Sequence, residues 1–272
     1  MMTPWIRRPA VAGYYYPADR CTLEEEIDAL TRTDAASILA RALIAPHGSY
    51  RHSGAVAGAA FARVDVPRRC IVLGPSHTGS WMPWSIMASG AYRTPLGDVP
   101  IDTMCAETLR ARCPFLEADA WAQRGEHTVE VLLPFLQRLG PPDLTVVPVI
   151  IGSDNGDEFS QLAEALAQVV RMHEEPVLLV ASSDLSHYEP YSRGADQDRA
   201  LVAAICALDG AGLVRHVQGA STLMCGYGAA ACVLDAAKAL GASHATLVKY
   251  GTSVEAAGDP GSAIGYASFI IP

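Results

Sequence analysis

Short apolar runs alternate with longer amphipathic stretches from one end of the chain to the other. Runs of four to eight apolar residues read as strands buried on both faces, and a 3.6-residue apolar period reads as helix. On that basis residues 41–45, 69–73, 144–151 and 177–181 are core strands. Further extended segments fall at 84–89 and 91–94, and two strands at 245–250 and 263–270 close the chain. Helices are expected at 21–32, 53–64, 103–112, 127–139, 157–171, 194–208 and 226–240. The helices at 21–32 and 157–171 carry acidic residues early, where they complement the macrodipole. The helix at 53–64 is built mostly of small residues and suits close packing on a sheet. Pro148 lies inside the 144–151 run and cannot donate to a ladder, which argues for an edge strand or an irregularity. Such alternation predicts an α/β protein with a central sheet flanked by helices on both faces. The last two strands and the 84–94 region predict a mixed sheet. No linker or low-complexity tract divides the chain, so a single domain over 1–272 is expected.

Charge and cysteine usage narrow the function classes. Twenty basic against 29 acidic side chains leave a net charge of −9. A nucleic-acid binder would show a basic excess for phosphate contacts, so none is expected as partner. Half of the residues are hydrophobic and 18% are charged, which excludes a disordered chain. The seven cysteines, at 21, 70, 105, 113, 206, 225 and 232, cannot all pair and form no Cys-x-x-Cys motif. A reducing, cytoplasmic setting follows. Arg7 and Arg8 precede an apolar stretch that stops at Pro17, too short for an export signal. The longest uncharged stretches, near 71–92 and 217–234, are broken by Gly, Pro and Ser, so no membrane span is expected.

Three of the strands run into polar turns that carry histidine. They read Ala45-Pro46-His47-Gly48, Leu73-Gly74-Pro75-Ser76-His77 and Ala181-Ser182-Ser183-Asp184-Leu185-Ser186-His187. Open α/β sheets bind ligands in the crevice beyond the carboxyl ends of their strands, so the fold would gather His47, His77, Asp184 and His187 there. Each residue alone has a plainer explanation. His47 and His77 could satisfy turn carbonyls, and Asp184 could cap a turn. Two such histidines beside shaping Gly and Pro residues favour a site. Glu126-His127-Thr128-Val129-Glu130 opens the 127–139 helix, where His127 fits equally well as a first-turn residue. Cys225 stands at the start of the last helix. There the dipole favours thiolate, the form that binds metal, although the residue could instead be a small buried hydrophobe like Cys232. His52, His173, His216 and His244 are expected at the surface.

Taken together and in order, these pieces resemble the Memo family, whose bacterial members are called AmmeMemoRadiSam system protein B. The resemblance runs from Arg8-Pro9-Ala10-Val11-Ala12-Gly13-Tyr14 through the three strand-end motifs, Pro95-Leu96-Gly97 and Glu126-His127-Thr128-Val129-Glu130. It ends with Ser182-Ser183-Asp184-Leu185-Ser186-His187-Tyr188, Cys225-Gly226 and the tail from Ser262 to Ser268. It implies a fold like that of class III extradiol dioxygenases. It also implies a pocket in which His47, His77 and Cys225 hold a metal, His187 with Asp184 takes the acid–base position, and His127 lines the wall. Two departures stand out: Gly48-Ser49 where the family often has Ala-Gly, and Thr78 where it often has a second histidine. Two imidazoles and a thiolate suit iron, copper or zinc better than magnesium or calcium.

Three functions are compatible with this reading. The first is a metal-dependent redox protein with an open non-haem iron(II) site, copper being the alternative and zinc the third choice. The second is zinc-assisted hydrolysis, with Glu126 or His187 as base. The third is a non-catalytic module that holds a peptide or phosphorylated ligand in the same pocket. A small-molecule or peptide ligand is expected in the strand-end pocket. The resemblance also implies a functional link to radical SAM and Ammecr-type proteins.

Overall fold

The computed structural model describes residues 5–79, 82–187, 191–220, 224–257 and 263–272. Tyr188 and Ser262, which belong to the motifs above, lie outside the described residues. The strands are β1 (Ile6–Arg7), β2 (Ala42–Ala45), β3 (Arg69–Pro75), β4 (Trp84–Ile86), β5 (Ala91–Thr94), β6 (Gly97–Pro100), β7 (Glu117–Ala118), β8 (Thr145–Ile151), β9 (Val177–Ser182), β10 (Thr246–Thr252) and β11 (Gly265–Ile271). The helices are α1 (Arg20–Leu30), α2 (Ala55–Phe61), α3 (Thr103–Arg110), α4 (Leu133–Leu139), α5 (Gly156–Arg171), α6 (Tyr191–Cys206), α7 (Gly210–Ala220), α8 (Tyr227–Ala239) and α9 (Ser253–Ala257).

The main sheet has the order β10-β11-β2-β9-β3-β8-β4-β7, and a small separate sheet has the order β1-β5-β6. Four neighbours, β2, β9, β3 and β8, run parallel. β11 is antiparallel to β2 and β4 to β8, which makes the sheet mixed as expected. β2 and β9 are buried along their whole length, as is β11, because helices cover both faces. One helical group is α1, α2 and α4, with the small-residue α2 seated on β2, β10 and β11. The other includes α3, α5, α7 and α8, with α8 seated on β2, β3 and β9.

The parallel register decides where the chemistry sits. Ala45 lies level with Ser182, Leu73 with Ala181, and Pro75 with Ile151. The four strands therefore end along one edge of the sheet, and the loops leaving them share one crevice.

Pro148 departs from expectation. β8 is an interior strand, paired with β3 on one side and β4 on the other. The Pro148 carbonyl accepts from Met87 N just past the end of β4. In a strand the N–H and C=O of one residue face the same side, so the missing donor faces a neighbour that has already ended. The 127–139 helix also starts later than expected. His127 stands in an irregular stretch, a short 3-10 turn covers Glu130–Leu132, and α4 begins at Leu133 with Pro134 in its first turn. Among the described residues, no helix is long and apolar enough to cross a membrane.

Candidate metal centre

Each candidate side chain is delivered by the end of a core element. His47 follows β2 by two residues, His77 follows β3 by two, and Asp184 follows β9 by two. Cys225 precedes Gly226, the residue that caps the start of α8. Gly226 has a φ of 81°, and a Cβ there would stand 2.3 Å from the Ser182 carbonyl oxygen. Only glycine lets the chain turn so tightly against the end of β9. Ser183 Oγ donates to the Cys225 carbonyl at 2.5 Å and completes the turn. A second close approach involves Gly74, where a Cβ would stand 2.5 Å from Thr128 Oγ1. Thr128 Oγ1 donates to the Pro75 carbonyl, so the bare glycine allows the segment carrying His127 to lie on the end of β3.

The donor atoms converge. His47 Nε2 lies 3.3 Å from His77 Nε2 and 3.2 Å from Cys225 Sγ. All three ligand atoms lie within 4.8 Å of one another. An ion bonded to two imidazole nitrogens at about 2.0–2.1 Å in tetrahedral geometry sets them about 3.3 Å apart, with a sulfur about 3.6 Å from each. The nitrogen spacing already matches, and the sulfur stands a few tenths of an ångström nearer His47 than such an ion would set it. Asp184, His187 and Cys225 form a second close group, with His187 Nε2 3.2 Å from Sγ and 3.6 Å from Asp184 Oδ2. The ring of His127 stands 5.3 Å from that of His77 and 5.8 Å from that of His47.

The tautomer of His47 follows from its partners. Ser182 Oγ spends its proton on the Thr128 carbonyl at 2.6 Å, so it can only accept from His47 Nδ1, at 2.8 Å. Nε2 is then left with its lone pair facing the other donors. The His47 backbone N–H donates to Asp184 Oδ1 at 2.9 Å. Replacing Ser182 with alanine removes this ring anchor. A loss of about 10–100-fold in metal affinity is expected, measurable by chelator competition.

Protonation in the metal-free pocket follows from burial. Burial holds His47 well below the usual imidazole range, and the rings of His77, His127 and His187 add to the effect. Burial also lowers His127 and His187, against the opposing pull of Glu126 and Asp184 respectively. It raises Asp184, partly offset by His187 and the His47 N–H. Cys225 is pushed well above the ordinary thiol value by burial and then by Asp184. The helix dipole was expected to favour thiolate; burial and the neighbouring carboxylate outweigh it. Linkage fixes the sign of the consequence. Three imidazoles with lowered values stabilise the fold above their unfolded value of 6.5, and that stability is lost as pH falls. Asp184, being raised, opposes them. Cys225 stabilises below its unfolded value of 9.0, and that contribution is lost as pH rises. Denaturant midpoints of the metal-free protein should therefore peak between 6.5 and 9.0. A midpoint that climbs steadily on acidification would contradict this.

Above the donors lies a cavity of about 670 Å³. Its wall includes Tyr14, Tyr15, Met224, Ile264, Tyr266 and His52, and among the described residues no Lys or Arg lines it. The tyrosine wall is tied down from below. Arg7 and Glu130, both fully buried, form an ion pair, and Glu130 also accepts from Ala10 N, Val11 N and Tyr16 Oη. Tyr15 then packs its ring on His127 at 4.8 Å.

Of the side chains read from the sequence, His47, His77, His127, Asp184, His187 and Cys225 all line this cavity. His52, expected at the surface, also lines it and bonds to Ser49 Oγ. It stands in a wide helical turn, Tyr50–Gly54, that follows the His47 loop and has no signal in the sequence. Glu126 differs from its candidate role as a base. Its oxygens accept four backbone N–H groups, from His77, Thr78, His127 and Thr128.

Comparisons with known proteins identify the family and the fold. A family profile described as Memo-like protein matches residues 7–270. A MEMO1 family protein of Methanopyrus kandleri is 35% identical over 277 residues, covering 97% of this chain and 98% of that protein. A MEMO1 family protein of Methanococcoides burtonii is 36% identical over 267 residues, covering 98% and 100%. Among solved structures, an uncharacterized protein of Escherichia coli K12 superposes with a TM-score of 0.59 at 19% identity, covering 85% of this chain and 99% of that one. That likeness speaks to the fold alone.

Proposed function

Since the chain belongs to the Memo family, we propose that it is a metal-dependent redox protein with one ion held by His47, His77 and Cys225. Non-haem iron(II) is the ion of this reading and copper its alternative. The carrying observation is the spacing of the donors, 3.3 Å between imidazole nitrogens, with the His47 tautomer already set for ligation. When bound, such an ion supplies a Lewis acid and a one-electron redox couple. Ligation requires Cys225 to lose its proton. His187 Nε2, 3.2 Å from Sγ and close to Asp184, is placed to receive it. The same imidazole then serves as the pocket's proton carrier, and Asp184 stabilises its charged form.

The pocket wall favours a neutral aromatic or phenolic ligand, or an apolar peptide side chain. Tyr14, Tyr15 and Tyr266 line the wall, and among the described residues no Lys or Arg lines it to pair a phosphate. This weighs against the phospho-ligand alternative. Zinc-assisted hydrolysis is weakened because Glu126 is committed to backbone donors, which leaves His187 as its base. Seven free cysteines support a reducing, cytoplasmic setting. A functional link to radical SAM and Ammecr-type proteins remains part of this reading on the sequence resemblance.

Elemental mass spectrometry of untagged protein, prepared under reducing conditions, tests the proposal. Wild type is expected to carry about one iron or copper per chain, and the Cys225→Ala variant far less. If neither metal reaches stoichiometry with the wild type, the redox reading fails. Stoichiometric zinc with oxygen-independent ester hydrolysis would move the assignment to the hydrolase.

A further inference from the structure

We infer that Glu126 is the positioning residue of this centre, fixing the His77 loop so that its imidazole stays at metal-binding distance. This rests on the metal reading above. The three ligands differ in how they are held. His47 is buried, its ring bonded to Ser182 and its N–H to Asp184. Cys225 is held through its carbonyl by Ser183 and through the Gly226 turn. His77 is exposed, on a loop that leaves the end of β3. Among the described residues, its hydrogen bonds are the Nε2 contact with His47 and the backbone N–H to Glu126 Oε2 at 2.6 Å.

Glu126 is built for this task. It is 1% exposed, and its carbonyl accepts from buried Arg7. Oε2 takes the N–H groups of His77 and Thr78, at 2.6 and 3.3 Å. Oε1 takes those of His127 and Thr128, at 2.8 and 3.1 Å. One carboxylate thereby fastens the His77 loop to the segment that carries His127. Charge-assisted bonds to backbone N–H are the strong kind, and a buried carboxylate needs them all. Glutamine keeps the shape but must aim its NH₂ at two N–H donors, so one side of the clip opens.

The test uses the full chain and anaerobic Fe(II), with chelator competition as readout, in wild type, Glu126→Gln, His77→Ala and the double variant. Glu126→Gln is expected to weaken Fe(II) binding about 10–100-fold. In the His77→Ala background the same change should cost no more than about twofold, because Glu126 acts through His77. Against Ser182→Ala, which keeps all three ligand side chains, its effect should remain near its full size. A general loss of structure would not produce that selective non-additivity. Wild-type affinity in Glu126→Gln, or full additivity with His77→Ala, overturns the inference. If wild type itself binds no Fe(II), the metal reading is what fails. Should Glu126→Gln not fold, amide hydrogen exchange in wild type decides. The His77 and Thr78 amides are expected to be protected despite their exposed loop, and exchange at the rate of a free peptide overturns the anchor.

Discussion

Arg7→Ala is expected to destabilise the protein by about 3–5 kcal/mol, because it leaves a buried carboxylate without its cation. Arg7 and Glu130 are both fully buried, and the guanidinium also donates to the carbonyls of Gln123 and Glu126. In the variant, Glu130 would keep three donors, Ala10 N, Val11 N and Tyr16 Oη, but no counter-charge. At about 2–4 °C per kcal/mol for a chain of this size, the melting temperature should fall by about 6–20 °C. Pairing Arg7→Met with Glu130→Gln should recover part of the loss, since a buried pair removed as a unit costs far less than one broken in half. Thermal and urea denaturation of the metal-free forms provide the measurement. A loss below about 1 kcal/mol for Arg7→Ala would mean that water reaches the pair. The same variant loosens the Tyr14–Tyr15 wall, so ligand affinity should drop with stability.

Cys225→Ala should have the opposite profile, a large effect on metal and a small one on the metal-free fold. Deleting a ligand outright should exceed the about 100-fold upper range for losing a partner behind a ligand. The metal-free protein should change by less than about 1 kcal/mol, because Cys225 faces the cavity and the deleted sulfur leaves no sealed void. Thermal shift at fixed Fe(II) reads both at once. Metal at 100 times its dissociation constant stabilises wild type by about 2.7 kcal/mol, while the variant at the same concentration should gain almost nothing. Equal thermal shifts in the two proteins would remove Cys225 from the ligand set.

Much of the site was legible because it uses a general property of parallel sheets. Apolar runs such as 177–181 can be recognised from composition, their carboxyl ends share an edge, and polar residues placed just beyond them must meet. His47, His77, Asp184 and His187 followed from that argument. The features that hold those residues were not legible, since they are contacts between distant segments. Nothing local to Arg7 indicates a carboxylate 123 positions away, and the same residue superficially suggested an export signal. Glu126 stood beside His187 as a candidate base for zinc-assisted hydrolysis because a lone acidic letter carries no record of the amides it accepts. Cys225 read as a thiolate because a helix start can be seen in sequence, whereas burial beside Asp184 cannot. The missed elements have a simpler cause. β1 and β7 are two residues long, too short to show a period. α7 carries glycines and β-branched valines that lower its helix propensity, and it forms because Leu213, Val214 and Val217 are buried.

The carboxylates around the centre grip main chain. Glu126 binds four amides, Asp184 the amide of His47, and Asp198 the amide of Ser186 beside His187. The frame is therefore indifferent to which side chain each gripped position carries. A ligand position becomes an exchangeable head group on a fixed template. On the metal reading, a substitution at 47 or 77 is expected to alter the metal preference and leave the gripped turn in place. On the metal reading proposed above, the choice of ion would rest with the side chains at 47, 77 and 225, while the surrounding chain holds the places where they stand.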